Sequence, residues 1–301
     1  MKNILLRSLI MLLLQGSFAL GATAQDSLLS LLDSTDLGRS DPVIATFKAT
    51  RIVNGQSIEG AGPGELQLVV AHRFGQVNEG VGTFFGLDDA TTMLSLEYGI
   101  TPKLQVALQR SSFNKMLDGF MKYRFLNQTT DDRVPLSAAL FLQASINTSA
   151  TSEEALVRPR FKHRWAYISQ VLLARKFGEA FSLQLTPTLL HRNLVPLSQD
   201  PVNLPALGAG ARYKLSERIS LNVEYFYRFE KDSRATFNPF AVGLDIETGG
   251  HVFQLHLTNA RQMTERGFLA ETAGDFFNGD IHFGFNISRV FQLGGGRGDR
   301  N

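Results

Sequence analysis

From Glu65 onward the chain alternates apolar and polar residues with a period of two, the spacing that puts neighbouring side chains on opposite faces of a strand. Leu66, Leu68, Val70 and Phe74 share one face, with Gln67, Ala71 and Arg73 on the other. The rhythm returns as Leu94, Leu96, Tyr98 against Ser95, Glu97, as Leu104, Val106, Leu108 against Gln105, Gln109, and as Met121, Tyr123, Phe125 against Lys122, Arg124. It continues through Leu136 to Ile146, Phe181 to Thr186, Ile219 to Glu230, Phe240 to Glu247, Phe253 to Thr258 and Ile281 to Ser288. About twelve segments of roughly nine to fourteen residues result, matching the ~9–11 residues that carry a tilted strand across a bilayer and about twice the usual strand of a soluble sandwich. One face of each is apolar and the other mostly polar. In lipid each unpaired backbone group costs several kcal/mol, so such a sheet cannot keep an open edge. The expected fold is all-β: a single antiparallel transmembrane β-barrel of about twelve strands.

The connections alternate in kind. Thr101 to Lys103, Gly178 to Ala180, Ser216 to Arg218 and Gly249-Gly250 are tight, whereas Gly75 to Thr91, Asn147 to His163, Leu194 to Leu204, Lys231 to Asn238 and Ala260 to Gly279 are long. Short periplasmic turns and long extracellular loops are the asymmetry of outer-membrane barrels. Two connections depart from it, Ser112 to Lys115 being short on the long side and Asn127 to Arg133 longer than a minimal turn. Aromatic residues fall near the strand ends on the apolar face. Phe74, Trp165, Tyr167, Tyr227, Phe229 and Phe240 lie toward the long-loop rim; Tyr98, Tyr123, Phe125, Phe177, Phe181 and Tyr213 lie toward the short-turn rim. These read as two interfacial girdles.

The amino terminus supplies an address. Lys2 and Arg7 precede the apolar run Leu9 to Leu14, and Ala22-Thr23-Ala24 offers a small-residue cleavage site, so residues 1–24 read as a cleaved signal peptide and the mature chain as bacterial outer membrane. Ser27 to Asp33 has the pattern of a short amphipathic helical turn. Residues 25–63 form a periplasmic amino-terminal segment or barrel plug, 64–292 the barrel, and 293–301 a flexible tail. Within that segment Phe47 to Glu59, with its Asn54-Gly55 turn signal, reads either as an extra strand or as a plug in the barrel mouth. The plug is preferred, because a thirteenth strand would set the termini on opposite sides.

The segments TFKATRIVNGQSIE (Thr46 to Glu59), HRFG (His72 to Gly75), FFGLD (Phe84 to Asp88) and LEYGIT (Leu96 to Thr101) also resemble a family of membrane-bound β-barrel domains of unknown function in Gram-negative bacteria. The resemblance implies an outer-membrane barrel and brings no substrate or catalytic residue with it.

Composition narrows the chemistry. Zero cysteines exclude disulfide scaffolds, thiolate metal sites, Cys nucleophiles and an amino-terminal lipidated Cys. Thirty Lys and Arg against 28 Asp and Glu give no basic face for nucleic acid. On the inward parity near the short-turn rim the alternation gathers Glu97, Lys122, Arg124, Lys176, Arg212, Lys214, Asp245 and Glu247. That cluster serves either as a charged constriction or as an internal salt-bridge network. His256 and His282, with Asp280 beside them, form a candidate metal or pH-gate set, and wall histidines hydrogen-bonded to neighbours are the plainer alternative. No H-E-x-x-H, P-loop or G-x-S-x-G occurs, and His72, His163, His191, His251, His256 and His282 have no nucleophile beside them, so no enzyme and no cofactor is expected. The expected partners are outer-membrane lipid, a small polar solute and a periplasmic or envelope protein. The expected function is a narrow pore or passive transporter, with a non-conducting docking barrel as the alternative.

Overall fold

The computed structural model describes residues 40–149 and 160–293. The signal segment, the Ser27 to Asp33 stretch and the tail after residue 293 lie outside the described residues. Twelve strands follow in chain order: β1 (Glu65–Gln76), β2 (Ala90–Gly99), β3 (Leu104–Ser111), β4 (Met116–Leu126), β5 (Ser137–Asn147), β6 (Trp165–Phe177), β7 (Phe181–Arg192), β8 (Asn203–Lys214), β9 (Ile219–Arg228), β10 (Phe240–Thr248), β11 (His251–Thr258) and β12 (His282–Gln292). Each pairs antiparallel with its sequence neighbour, and β1 closes on β12. The seam runs from Glu65↔Gln292 to Arg73↔Gly284, with a register shift before Gln76↔His282. Closure removes every edge, as the alternation requires. No further strand inserts between β1 and β12, so the segment before β1 is not part of the wall.

The outward face is apolar where lipid would meet it: Leu108 is 66% exposed and Phe229 59%, areas that water would penalise. Both aromatic girdles are present. Tyr98, Tyr123, Phe125, Phe177, Phe181 and Tyr213 face outward at the short-turn rim. At the other rim Trp165 stacks on Tyr167 at 6.4 Å and Phe74 on Phe283 at 5.8 Å.

The inner face corrects the expectation of a mostly polar lumen. Phe120, Phe141, Ile168, Leu190, Leu204 and Phe226, all of inward parity on β4 to β9, are buried inside the barrel together with Phe268 and Leu269 of a short helix α1 (Glu265–Ala270) from the β11 to β12 loop. Leu172 packs in the same way with Phe47, Ile52 and Ile58 of the amino-terminal segment. Two-sided apolar strands need a second packing partner besides lipid, and here that partner is chain inside the lumen.

Candidate functional site

Residues 46–58 are buried inside the barrel except Lys48, which is half-buried. They form a narrow hairpin: Ser57 N–H donates to the Thr50 carbonyl at 2.9 Å, Arg51 bridges to Gln56, and Ile52 N–H donates to the Gly55 carbonyl at 2.9 Å. The chain therefore reverses over Val53-Asn54, one residue before the Asn54-Gly55 step the sequence suggested.

A lumen segment without a sheet of its own must find partners for its backbone on the wall. The Glu224 carboxylate on β9 accepts three tip N–H groups, from Val53 at 3.3 Å, Asn54 at 3.1 Å and Gly55 at 2.9 Å. Gln254 on β11 donates to the carbonyls of Arg51 (3.2 Å) and Ile52 (3.1 Å), and Asn286 on β12 to that of Val53 (3.2 Å). Arg73 on β1 donates to the Asn54 side chain at 2.9 Å, and Gln184 on β7 to the Gln56 carbonyl at 2.8 Å.

From the long-loop mouth α1 descends onto the hairpin. Thr264 caps it, accepting from Gly267 N–H at 3.3 Å. Its first residue, Glu265, meets Arg51 at 3.0 Å, with side-chain exposures of 0% and 3%. Gln56 donates to the same carboxylate at 2.9 Å, and Arg51 also donates to Gln109 at 2.8 Å and to the Asn54 carbonyl at 2.6 Å. The amino-terminal hairpin and the loop helix thus meet at one buried ion pair.

The eight charged residues singled out from the sequence do not make a single network; most hold the hairpin separately. Lys122 donates to the carbonyls of Thr50 (3.3 Å), Ser57 (3.0 Å) and Glu59 (2.7 Å). Arg212 reaches those of Ala45 (3.3 Å) and Thr46 (3.4 Å), and Lys176 that of Ile44 (3.1 Å). Arg124 lies 3.6 Å from Glu59, and Glu247 pairs with Lys48. Glu97 and Asp245 act at one remove: Glu97 accepts from Gln105 at 2.6 Å, whose oxygen accepts Ala61 N–H at 2.9 Å, and Asp245 accepts from Gln254 at 2.9 Å. Lys214 instead pairs with Glu217 in the adjoining turn at 2.7 Å.

His256, His282 and Asp280 are not gathered around one point. His256 lies opposite Gly284 and His282 opposite Thr258. Nδ1 of His282 faces the Phe74 carbonyl at 2.9 Å, while both ring nitrogens of His256 are buried without a hydrogen-bond partner among the described residues. Asp280 is occupied elsewhere: Asp275 N–H and the Asn78 amide, each at 2.9 Å, hold its carboxyl below the usual range, the backbone bond contributing most. Among the described residues no three His, Asp or Glu side chains are gathered for a metal ion.

Sequence reading missed Arg51, Glu224 and Glu265. Glu224 carries a signal, an inward-parity carboxylate in mid-strand, where an unpaired charge would be costly.

The hairpin comes close to the wall at Gly210 of β8, where an added Cβ would lie 2.3 Å from Ile52 Cδ1, the movable end of that side chain. Gly210→Val is therefore expected to lift the hairpin, at the ~1–3 kcal/mol typical of overpacking. With Ser57→Cys as the sole thiol of an otherwise cysteine-free chain, maleimide labelling should quicken in Gly210→Val and slow again when Ile52→Ala is added. Equal labelling of all three proteins would refute the contact.

A family described as a membrane bound beta barrel domain matches residues 47–291. Comparison with curated proteins finds no match. Solved structures of similar architecture include the NanC porin (TM-score 0.46, 9% identity, 75% of this chain and 98% of that chain) and the KdgM porin (TM-score 0.45, 8% identity, 75% and 99%). A mutant of Rh. blastica porin follows at TM-score 0.32 and 8% identity, over 67% of this chain and 55% of that chain. At these scores and identities no residue role is carried across.

Proposed function

Because this chain belongs to the family of membrane-bound β-barrel domains, we propose that it is an outer-membrane channel for small polar solutes, held shut by its own amino-terminal segment. Export through a signal peptide at residues 1–24 would deliver it, and the short-turn rim would face the periplasm. The observation that carries this reading is the chemistry of the hairpin's attachment. Wall side chains grip it largely through backbone carbonyls and N–H groups, as Lys122, Arg212, Gln254 and Glu224 do. Water or a polar solute can take over such bonds when the stopper leaves. The contact of Ile52, Ile58 and Phe47 with Leu172 is the apolar exception. No catalytic role is assigned to any residue.

Planar-bilayer conductance tests the proposal. The full chain is expected to be silent or rarely open, and the chain lacking Asp26 to Glu59 to conduct steadily. A trimmed barrel that keeps its heat-modifiable migration on gels and passes no more current than the full chain would reject the amino-terminal segment as the stopper. Silence that persists when Phe268 and Leu269 of α1 are also replaced by Ala would reject the channel and favour a docking barrel that meets an envelope protein.

A further inference from the structure

At the long-loop mouth the loops and α1 line an open cavity of about 500 Å³. Its lining mixes apolar residues, Phe113, Leu194, Val195 and Pro196, with Arg192, Arg234 and Arg266 and with Asp232 and Glu271. Three guanidinium groups thus face two carboxylates, and both carboxylates are already engaged. Asp232 takes Arg192 through both oxygens at 2.7 Å each, a bidentate pair buried in the wall. One Glu271 oxygen accepts from Gln262 at 2.6 Å and from Asn114 at 3.1 Å. The other lies 3.7 Å from Arg266 Nε, beyond hydrogen-bond reach. Arg266 otherwise donates only from Nη1, to the Arg164 carbonyl at 3.2 Å, and Arg234 is exposed with no hydrogen-bond or ion-pair partner among the described residues. The charged groups left without a close partner in this cavity are therefore the two guanidinium groups of Arg234 and Arg266, among neutral amides and the apolar side chains of Phe113, Leu194, Val195 and Pro196.

We propose that this vestibule binds a small organic oxyanion, its single carboxylate or phosphate group held by Arg234 and Arg266 and its apolar body resting on Phe113, Leu194, Val195 and Pro196. The proposal names the solute class of the channel and in that sense rests on the preceding reading. Binding is measured without current, so the two fail separately. The cavity also adjoins the stopper's fastening, since Gln262, Arg266, Ala270 and Glu271 line it and the same helix presents Glu265 to Arg51.

Calorimetric titration of the detergent-solubilised full chain with phenylacetate, phenyl phosphate, inorganic phosphate and uncharged 2-phenylethanol is the test. At least one of the two aromatic anions is expected to bind, and the tighter one identifies the anionic group. 2-Phenylethanol and inorganic phosphate, each lacking one half of the pharmacophore, should bind at least about tenfold more weakly. Arg234→Ala and Arg266→Gln should each weaken binding about tenfold, whereas Arg218→Ala, an equal change of charge at the opposite rim, should leave it unchanged. Arg234 is exposed, so its replacement does not endanger the fold. Wild-type affinity in the Arg234→Ala/Arg266→Gln double variant, binding of 2-phenylethanol as tight as that of phenylacetate, or no binding by either aromatic anion would overturn the proposal.

Discussion

If the amino-terminal hairpin is the stopper proposed above, Glu224→Leu is expected to unseat it. The substitution keeps a similar volume but removes the acceptor for the tip N–H groups of Val53, Asn54 and Gly55. Each buried donor left unmet costs about 1–3 kcal/mol, so the seated state loses more than the hairpin's apolar contacts can restore. The released N–H groups are expected to find water once the tip withdraws, which on the proposed reading favours the open barrel. Steady conductance and fast labelling of Ser57→Cys, buried in the closed form, are the expected readouts, with heat-modifiability retained because β9 keeps its backbone ladder. Glu224→Gln, which keeps one acceptor oxygen, should fall between the two. A silent, label-resistant Glu224→Leu barrel would show that the hairpin does not depend on this carboxylate.

Arg51 and Glu265 are coupled in the opposite sense, since either alone is worse than neither. Arg51→Ala strands a fully buried carboxylate, and Glu265→Leu strands a guanidinium that is almost as buried. Breaking one partner of such a pair costs about 3–5 kcal/mol, while replacing both with apolar groups is often neutral. The double variant Arg51→Met/Glu265→Leu is therefore expected to unfold closer to the parent than either single variant, a non-additive cycle read from thermal midpoints in detergent. Additive losses would mean that the neighbouring amides of Gln56 and Gln109, rather than the ion pair, join the two halves of the filling.

The wall was legible because lipid imposes a single rule on every second residue, and Leu94, Leu96 and Tyr98 obey it in isolation from everything else in the chain. What fills the lumen leaves a weaker trace. Phe226 stands between Tyr225 and Tyr227, and Leu190 follows Leu189, so an inward apolar residue is hidden within an already apolar run. In hindsight such doubled apolar positions on β4 to β9 mark strands that meet protein on the inside. The Arg51 to Glu265 contact spans 214 positions of sequence and joins two irregular segments, neither of which has a periodicity from which a partner can be inferred. Parity assigns the charged cluster to the inward face, but parity does not say that Lys122 and Arg212 face carbonyls rather than carboxylates.

The stopper hangs on β1, the strand that also makes the closing seam with β12. A slip of two residues along that seam would keep every side chain on its proper face, so lipid alone does not penalise it. It would nevertheless displace the hairpin's root by about 7 Å along the strand, enough to separate charges that now touch. The observed alignment of first strand with last is thus the one in which Arg51 meets Glu265, so what fills the lumen favours the native seam over a two-residue slip that lipid would tolerate.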